Sequence, residues 1–203
     1  KTLAETFGGK DAFEVRRVEA VGPTVGADLR RKALLAMLYA MIGILIYISW
    51  RFEFRFAVAA IAALAHDILI TITAFAVLDL EFTLPVIAAI LTIIGYSLND
   101  TIVVFDRIRE NLKGLRKESI GELINISINQ TISRTILTSG TTLFVVLALY
   151  FYGGEVIRGF TFALLVGILA GTYSSIYIAA PIILAWTPAS AAATSLRKRK
   201  KGA

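Results

Sequence analysis

The chain has 203 residues, of which 57% are hydrophobic and 18% charged, with a net charge of +6 and no cysteine. Soluble domains run at about 45–50% apolar and about 25% charged, so both values point to a membrane protein and exclude a disordered chain. The lack of cysteine excludes a disulfide-built secreted domain, and the basic residues flank apolar segments, which argues for membrane contact over nucleic acid.

The chain opens on Lys1 without a signal-peptide pattern and reads as a piece of a longer one. Residues 1–32 read as soluble. Phe13 and Val15 alternate with Glu14 and Arg16 before the Gly22-Pro23 turn, a strand pattern expected to be the remnant of an outer-face domain. Five apolar stretches then reach the roughly 20 residues that a helix needs to cross a bilayer. They are expected at about 33–50, 56–78, 84–105, 135–152 and 160–186. The predicted fold is an all-α multi-pass membrane protein with a short β remnant ahead of it.

Arg51, Arg55, Arg107, Arg109, Lys113, Arg116, Lys117, Arg134 and the tail Arg197 to Lys201 fall on one side of these spans. That excess marks the cytoplasmic side and puts the C-terminus inside. Arg30, Arg31 and Lys32 go against the rule, a second hint that an earlier segment sets the topology. The tail from 187 to 203 is expected to be a disordered basic segment drawn to anionic lipid.

Between the third and fourth spans, Ser119 and Glu122 have the spacing of a capping box. Ile120, Ile124, Ile128, Ile132 and Ile136 then recur every fourth residue. This predicts an amphipathic helix over 119–134, lying at the inner interface or leading straight into the fourth span.

Charges inside the spans are costly and mark candidate functional residues. Ser97, Asp100 and Thr101 share one face of the third span, with Asn99 pointing elsewhere. Burial disfavours a carboxylate and a nearby cation favours it. A carboxyl balanced between the two can load and release protons. Helix–helix hydrogen bonding is the alternative role. His66 and Asp67 sit mid-way along the second span and could join a relay or simply bond neighbouring helices. Arg134 either snorkels to the interface or pairs with Asp100. Thr138 and the hydroxyls after it either line a water path or bond the backbone one turn back. In the fifth span, Ala163, Gly167, Gly171, Ser175 and Ala179 form a small-residue ridge for close helix packing, and Pro181 is expected to bend the helix. One histidine and no cysteine argue against a metal site, and no nucleophile–base constellation suggests an enzyme.

The run from Gly95 to Asn111, GYSLNDTIVVFDRIREN, resembles the signature of the SecF family, membrane subunits of the bacterial Sec export machinery. Val21 to Gly26, Ala65-His66-Asp67 and Ser133 to Thr142 resemble three further SecF stretches. The resemblance implies the second to sixth spans of a six-span, RND-type half, with a periplasmic domain between the first two. It implies pairing with SecD, fused or separate, and work beside SecYEG, with YajC and YidC as further partners, in the inner membrane. Preprotein contact would belong to the periplasmic domain. The coupling ion would be the proton, with no cofactor. The family's proton-path carboxylate falls on Asp100 and its essential arginine on Arg134. A small-molecule efflux transporter of the same superfamily and a purely structural subunit are the competing readings.

Overall fold

The structure is a computed structural model, and it describes residues 23–114 and 118–186. It contains α1 (Pro23–Arg51), α2 (Phe54–Val77), α3 (Leu84–Gly114), α4 (Ile120–Tyr152) and α5 (Glu155–Ser174). A π-helical turn, Ser175–Ala179, joins α5 to α6 (Ala180–Trp186). With α5, the π turn and α6 taken as one span, five helices are long and apolar enough to cross a membrane. The described residues contain no strand. The strand expected before Gly22 and the basic tail lie outside the described residues.

The chain divides into two units, residues 1–35 and 36–203. In the described part of the first, the chain is already helical from Pro23, ten residues ahead of the span expected from about residue 33. Proline suits the first helical position, where its missing N–H costs nothing. Lys32 and Asp28 follow one turn apart and pair at 2.8 Å on an exposed face, so polar composition here marks a solvated helix end.

In the second unit, the spans formed by α2, α3, α4 and the joined α5–α6 stack three layers. One apolar layer holds Phe56, Ala60, Val104, Phe105, Leu123 and Ile183. The other holds Phe75, Val86, Ile90, Ile93, Val146 and Ile168. Between them lies a band of buried polar residues: Asp67 and Thr71 on α2, Ser97, Asp100 and Thr101 on α3, Ser139 on α4, and Ser174 and Ser175. Each helix crosses apolar layer, polar band and apolar layer in turn. The α5 helix sits at the centre and packs on α2, α3 and α4.

Its position follows from its ridge of small residues. A Cβ on Gly167 would collide with the Ile93 side chain, and one on Gly171 would lie 2.9 Å from Ser97 Cβ. Only a glycine at these two places lets α5 come this near to α3. The π turn ends two residues before Pro181. Proline cannot donate to the carbonyl four residues earlier and its ring crowds it, so the helix widens there by one residue.

At 33 residues, α4 is about 50 Å long, well beyond about 30 Å of hydrocarbon. Of the two placements open for the amphipathic segment, the structure has the second: it forms the first turns of α4. The capping box is present, with Ser119 Oγ accepting from Glu122 N–H at 3.2 Å and the Glu122 carboxylate accepting from Ser119 N–H at 3.0 Å. The isoleucine row does not stay on one side. Ile124 is buried while Ile136 is 61% exposed. The row that stays buried has the same four-residue spacing but begins one residue earlier, about 100° round the helix: Leu123, Ser127, Thr131, Thr135 and Ser139. Beyond the bundle, α3 and α4 stay joined by polar side chains. Asn111 donates to Ser127 Oγ at 2.8 Å and to Gln130 at 2.9 Å, and Arg107 donates to Gln130 at 2.6 Å.

Candidate functional site

The polar band holds two carboxylates, each with its own set of partners. Asp67 is fully buried. Its Oδ2 accepts hydrogen bonds from Ser97 Oγ on α3 at 2.5 Å and from Ser174 Oγ on α5 at 2.9 Å. Its Oδ1 lies 3.1 Å from His66 Nδ1. Asp67 therefore ties three helices together at one carboxyl group. His66 is only partly buried, and its ring lies 6.1 Å from that of Tyr173, which stacks on Tyr177 at 4.8 Å. Both tyrosines are more than half exposed, so the histidine edge of this site faces outward from the bundle.

Asp100, 3% exposed, is one turn along α3 from Ser97. Among the described residues one donor reaches it: Ser139 Oγ of α4, 2.9 Å from Oδ2. Ser139 in turn lies 2.9 Å from Thr172 Oγ1 of α5. The hydroxyl of Thr172 also lies 2.9 Å from the Ile168 carbonyl. A short chain of oxygens thus runs from Asp100 through α4 to the backbone of α5.

The Asp100–Arg134 ion pair suggested by the sequence is not made in this structure. Arg134 is exposed, on the neighbouring helix α4. Its side chain lines a cleft of about 250 Å³ with Tyr47, Arg51, Phe52, Ile102, Val103 and Asp106. Here Arg51 stands 3.8 Å from Asp106, and Arg51 and Arg109 lie over the Phe52 ring at 5.1 and 5.6 Å. The reason is position along α4. Arg134 precedes Ser139 by five residues, about 140° around the helix, so the two cannot address one carboxyl from the same side.

The remaining sequence candidates divide clearly. Thr101 donates to Ser97 C=O at 3.1 Å, and Thr138 donates to Arg134 C=O at 3.0 Å. Both bond their own backbone one turn back. Asn99 is exposed. Gly167 and Gly171 face α3, and Ser175 is buried. Thr172 and Ser174, which complete both carboxylate sites, were not among the sequence candidates. Their signal was present as four consecutive polar residues, Thr172 to Ser175, in the middle of a span. Ser139 was seen only as part of a general polar face. Among the described residues no group of three or more acidic or histidine side chains could hold a metal.

The family model for "Protein export membrane protein SecD/SecF, C-terminal" matches residues 2–189. The chain belongs to the SecD/SecF C-terminal family. Within it, the chain is 58% identical over 191 residues to the protein translocase subunit SecF of Desulfurispirillum indicum, which covers 93% of this chain and 60% of that one. It is 54% identical over 184 residues to the protein translocase subunit SecDF of Thermus thermophilus, covering 91% of this chain and 25% of that one. The crystal structure of the Thermus SecDF superposes with a TM-score of 0.78 at 54% identity, over 82% of this chain and 23% of that one. A SecDF structure in a super-membrane-facing form gives 0.75 at 49% identity, over 90% and 23%. The chain spans no more than three-fifths of the length of these relatives. In this SecD/SecF chain one turn of α3 joins the two carboxylate sites, Ser97 bonding Asp67 and Asp100 being the second carboxylate.

Proposed function

We propose that this chain is the membrane portion of a Sec protein-translocase subunit that uses proton entry at Asp100 to assist preprotein export. It works with a SecD-type half, fused or separate, beside the SecYEG channel, with YajC and YidC as further partners. It resides in the bacterial inner membrane with its C-terminus in the cytoplasm. The gathering of Arg51, Arg55, Arg107, Arg109 and Arg134 at one end of the bundle supports that orientation.

The observation that carries the reading is a buried carboxyl with one hydrogen-bond donor among the described residues and, on the neighbouring helix, an exposed guanidinium that makes no ion pair with it. A carboxyl so placed is free to change protonation state without dismantling the helix contacts around it. Moving one charge through 100 mV is worth about 2.3 kcal/mol, enough to bias a two-state repacking of helices. Protonation of Asp100 removes its attraction for Arg134 and so changes the balance between α3 and α4. Swinging of Arg134 between the cleft and Asp100 is the second half of that step.

The test is export stimulation by the full-length complex in energised vesicles, wild type against Asp100→Asn at equal membrane levels. Loss of stimulation together with its dependence on the proton gradient is expected. Normal stimulation by the variant refutes the reading. A structural role has a specific observation in its favour as well, because Ser139 bonds Asp100 across two helices. In that case Asp100→Asn lowers thermal stability and leaves the response to the gradient unchanged.

A further inference from the structure

We infer that Ser139 and Thr172 are positioning residues of the Asp100 proton step, forming a hydroxyl relay that stays fully hydrogen-bonded in both protonation states and ends on the Ile168 carbonyl of α5. The inference rests on Asp100 as the proton carrier and goes beyond it by naming what keeps the carrier bonded on either side of the step.

A hydroxyl has one proton to give and lone pairs to accept with. Thr172 Oγ1 has two acceptors at 2.9 Å, Ser139 Oγ and Ile168 O, and can serve only one of them fully. Two arrangements of the same heavy atoms follow. With Asp100 as carboxylate, Ser139 donates to Asp100 Oδ2 and Thr172 donates to Ser139. With Asp100 protonated, its O–H donates to Ser139 Oγ, Ser139 donates to Thr172 Oγ1, and Thr172 turns to Ile168 O. One proton is gained, on Asp100, and none travels along the relay. Each hydroxyl only rotates.

A buried polar group left unpaired is costly, so a site that keeps its partners in both states avoids that cost as a barrier. Asp67 lacks the device. Ser174 can turn to the Gly171 carbonyl at 3.2 Å, but Ser97 has no acceptor other than Asp67 among the described residues, so a proton on Asp67 Oδ2 would set two O–H groups against one another. The charged groups around Asp100 are few. Arg134 on α4 acts through space, Asp67 on α2 is engaged one turn away at Ser97, and α5 presents hydroxyls and backbone.

The relay also has a mechanical consequence. Thr172 is three residues before the π turn, and Ser174, which holds Asp67, adjoins it. The reversal at Asp100 therefore reaches α5 beside the one widened turn of the fifth span, while Asp67 holds the same stretch of helix in place.

The test uses the full-length complex in nanodiscs and infrared difference spectroscopy across pH, with the Asp100 carboxyl band identified by its loss in Asp100→Asn. Ser139→Ala is expected to move the band and to shift its titration midpoint by about one pH unit, the tenfold equivalent of one hydrogen bond to a charged group. Thr172→Val, close in shape to the native side chain, moves both by less, and Thr172→Ser restores them. A band that titrates in the wild type and is unchanged in both Ser139→Ala and Thr172→Val overturns the relay and leaves the proton-carrier reading standing. A band that never titrates in the wild type overturns both.

Discussion

Asp67 and Asp100 lie in the same buried band, yet they are built for different work. Asp67 has both oxygens engaged, by Ser97, Ser174 and His66, across three helices. Asp100 has one donor and a relay whose direction can reverse. The first arrangement holds helices together, and the second lets a charge come and go between them. Two carboxyls of the same type, in one bundle, differ in role through the number of donors and the spare acceptors of those donors. Burial alone does not separate them, since both are almost entirely shielded.

The comparison can be broken most directly at Asp67. Asp67→Ala removes the acceptor for two buried hydroxyls and is expected to destabilise the folded protein by about 3 kcal/mol, read as thermal unfolding in nanodiscs. Asp100→Asn should leave unfolding within about 0.5 kcal/mol of wild type while removing proton-driven stimulation. Equal destabilisation by both would erase the distinction. Next comes Gly171→Ala, which sets a Cβ 2.9 Å from Ser97 Cβ and 3.0 Å from its Oγ. Crowding the Asp67 donor should cost about 2 kcal/mol and loosen α5 from α3. Gly140→Ala, with open space around its Cβ, is the matched control and should stabilise α4 by about 0.5 kcal/mol. The smallest effect concerns Thr135, one turn from Ser139, whose Oγ1 is buried with no hydrogen-bond partner among the described residues. Thr135→Val, measured in the same unfolding assay, should be neutral or stabilising by up to about 1 kcal/mol. A clear loss there would extend the Asp100 relay by one more hydroxyl.

Some of this could be read from the residues in order. Asp100 stood out because a charge inside an apolar run is expensive, and Ser119 and Glu122 because a capping box is local chemistry. The glycine ridge was legible for the same reason: its spacing alone implies a close approach. Arg134 was harder. The sequence places it one helix away from Asp100 at a suitable depth, and only the phase of α4 turns it into the cleft. The isoleucine row misled in a related way, since the row that α4 buries is the neighbouring one of Leu123 and four hydroxyls, about 100° round the helix. Thr172 and Ser174 were passed over because they are ordinary small hydroxyls. Their importance lies in what each one meets: Ser174 reaches Asp67, 107 residues away, and Thr172 reaches Ser139, 33 residues away, which in turn bonds Asp100.

By itself the sequence determined the five apolar spans, the costly charges within them and the basic ends, because transfer into hydrocarbon is a property of each segment alone. The helical start at Pro23 lay where local polarity suggested no span, and the unbroken 33-residue α4 decided between the two placements that the sequence left open. Only the tertiary structure decided which hydroxyl serves which aspartate. A hydrogen bond is satisfied or lost over a few tenths of an ångström, and that distance is set by how closely Gly167 and Gly171 let α5 approach α3.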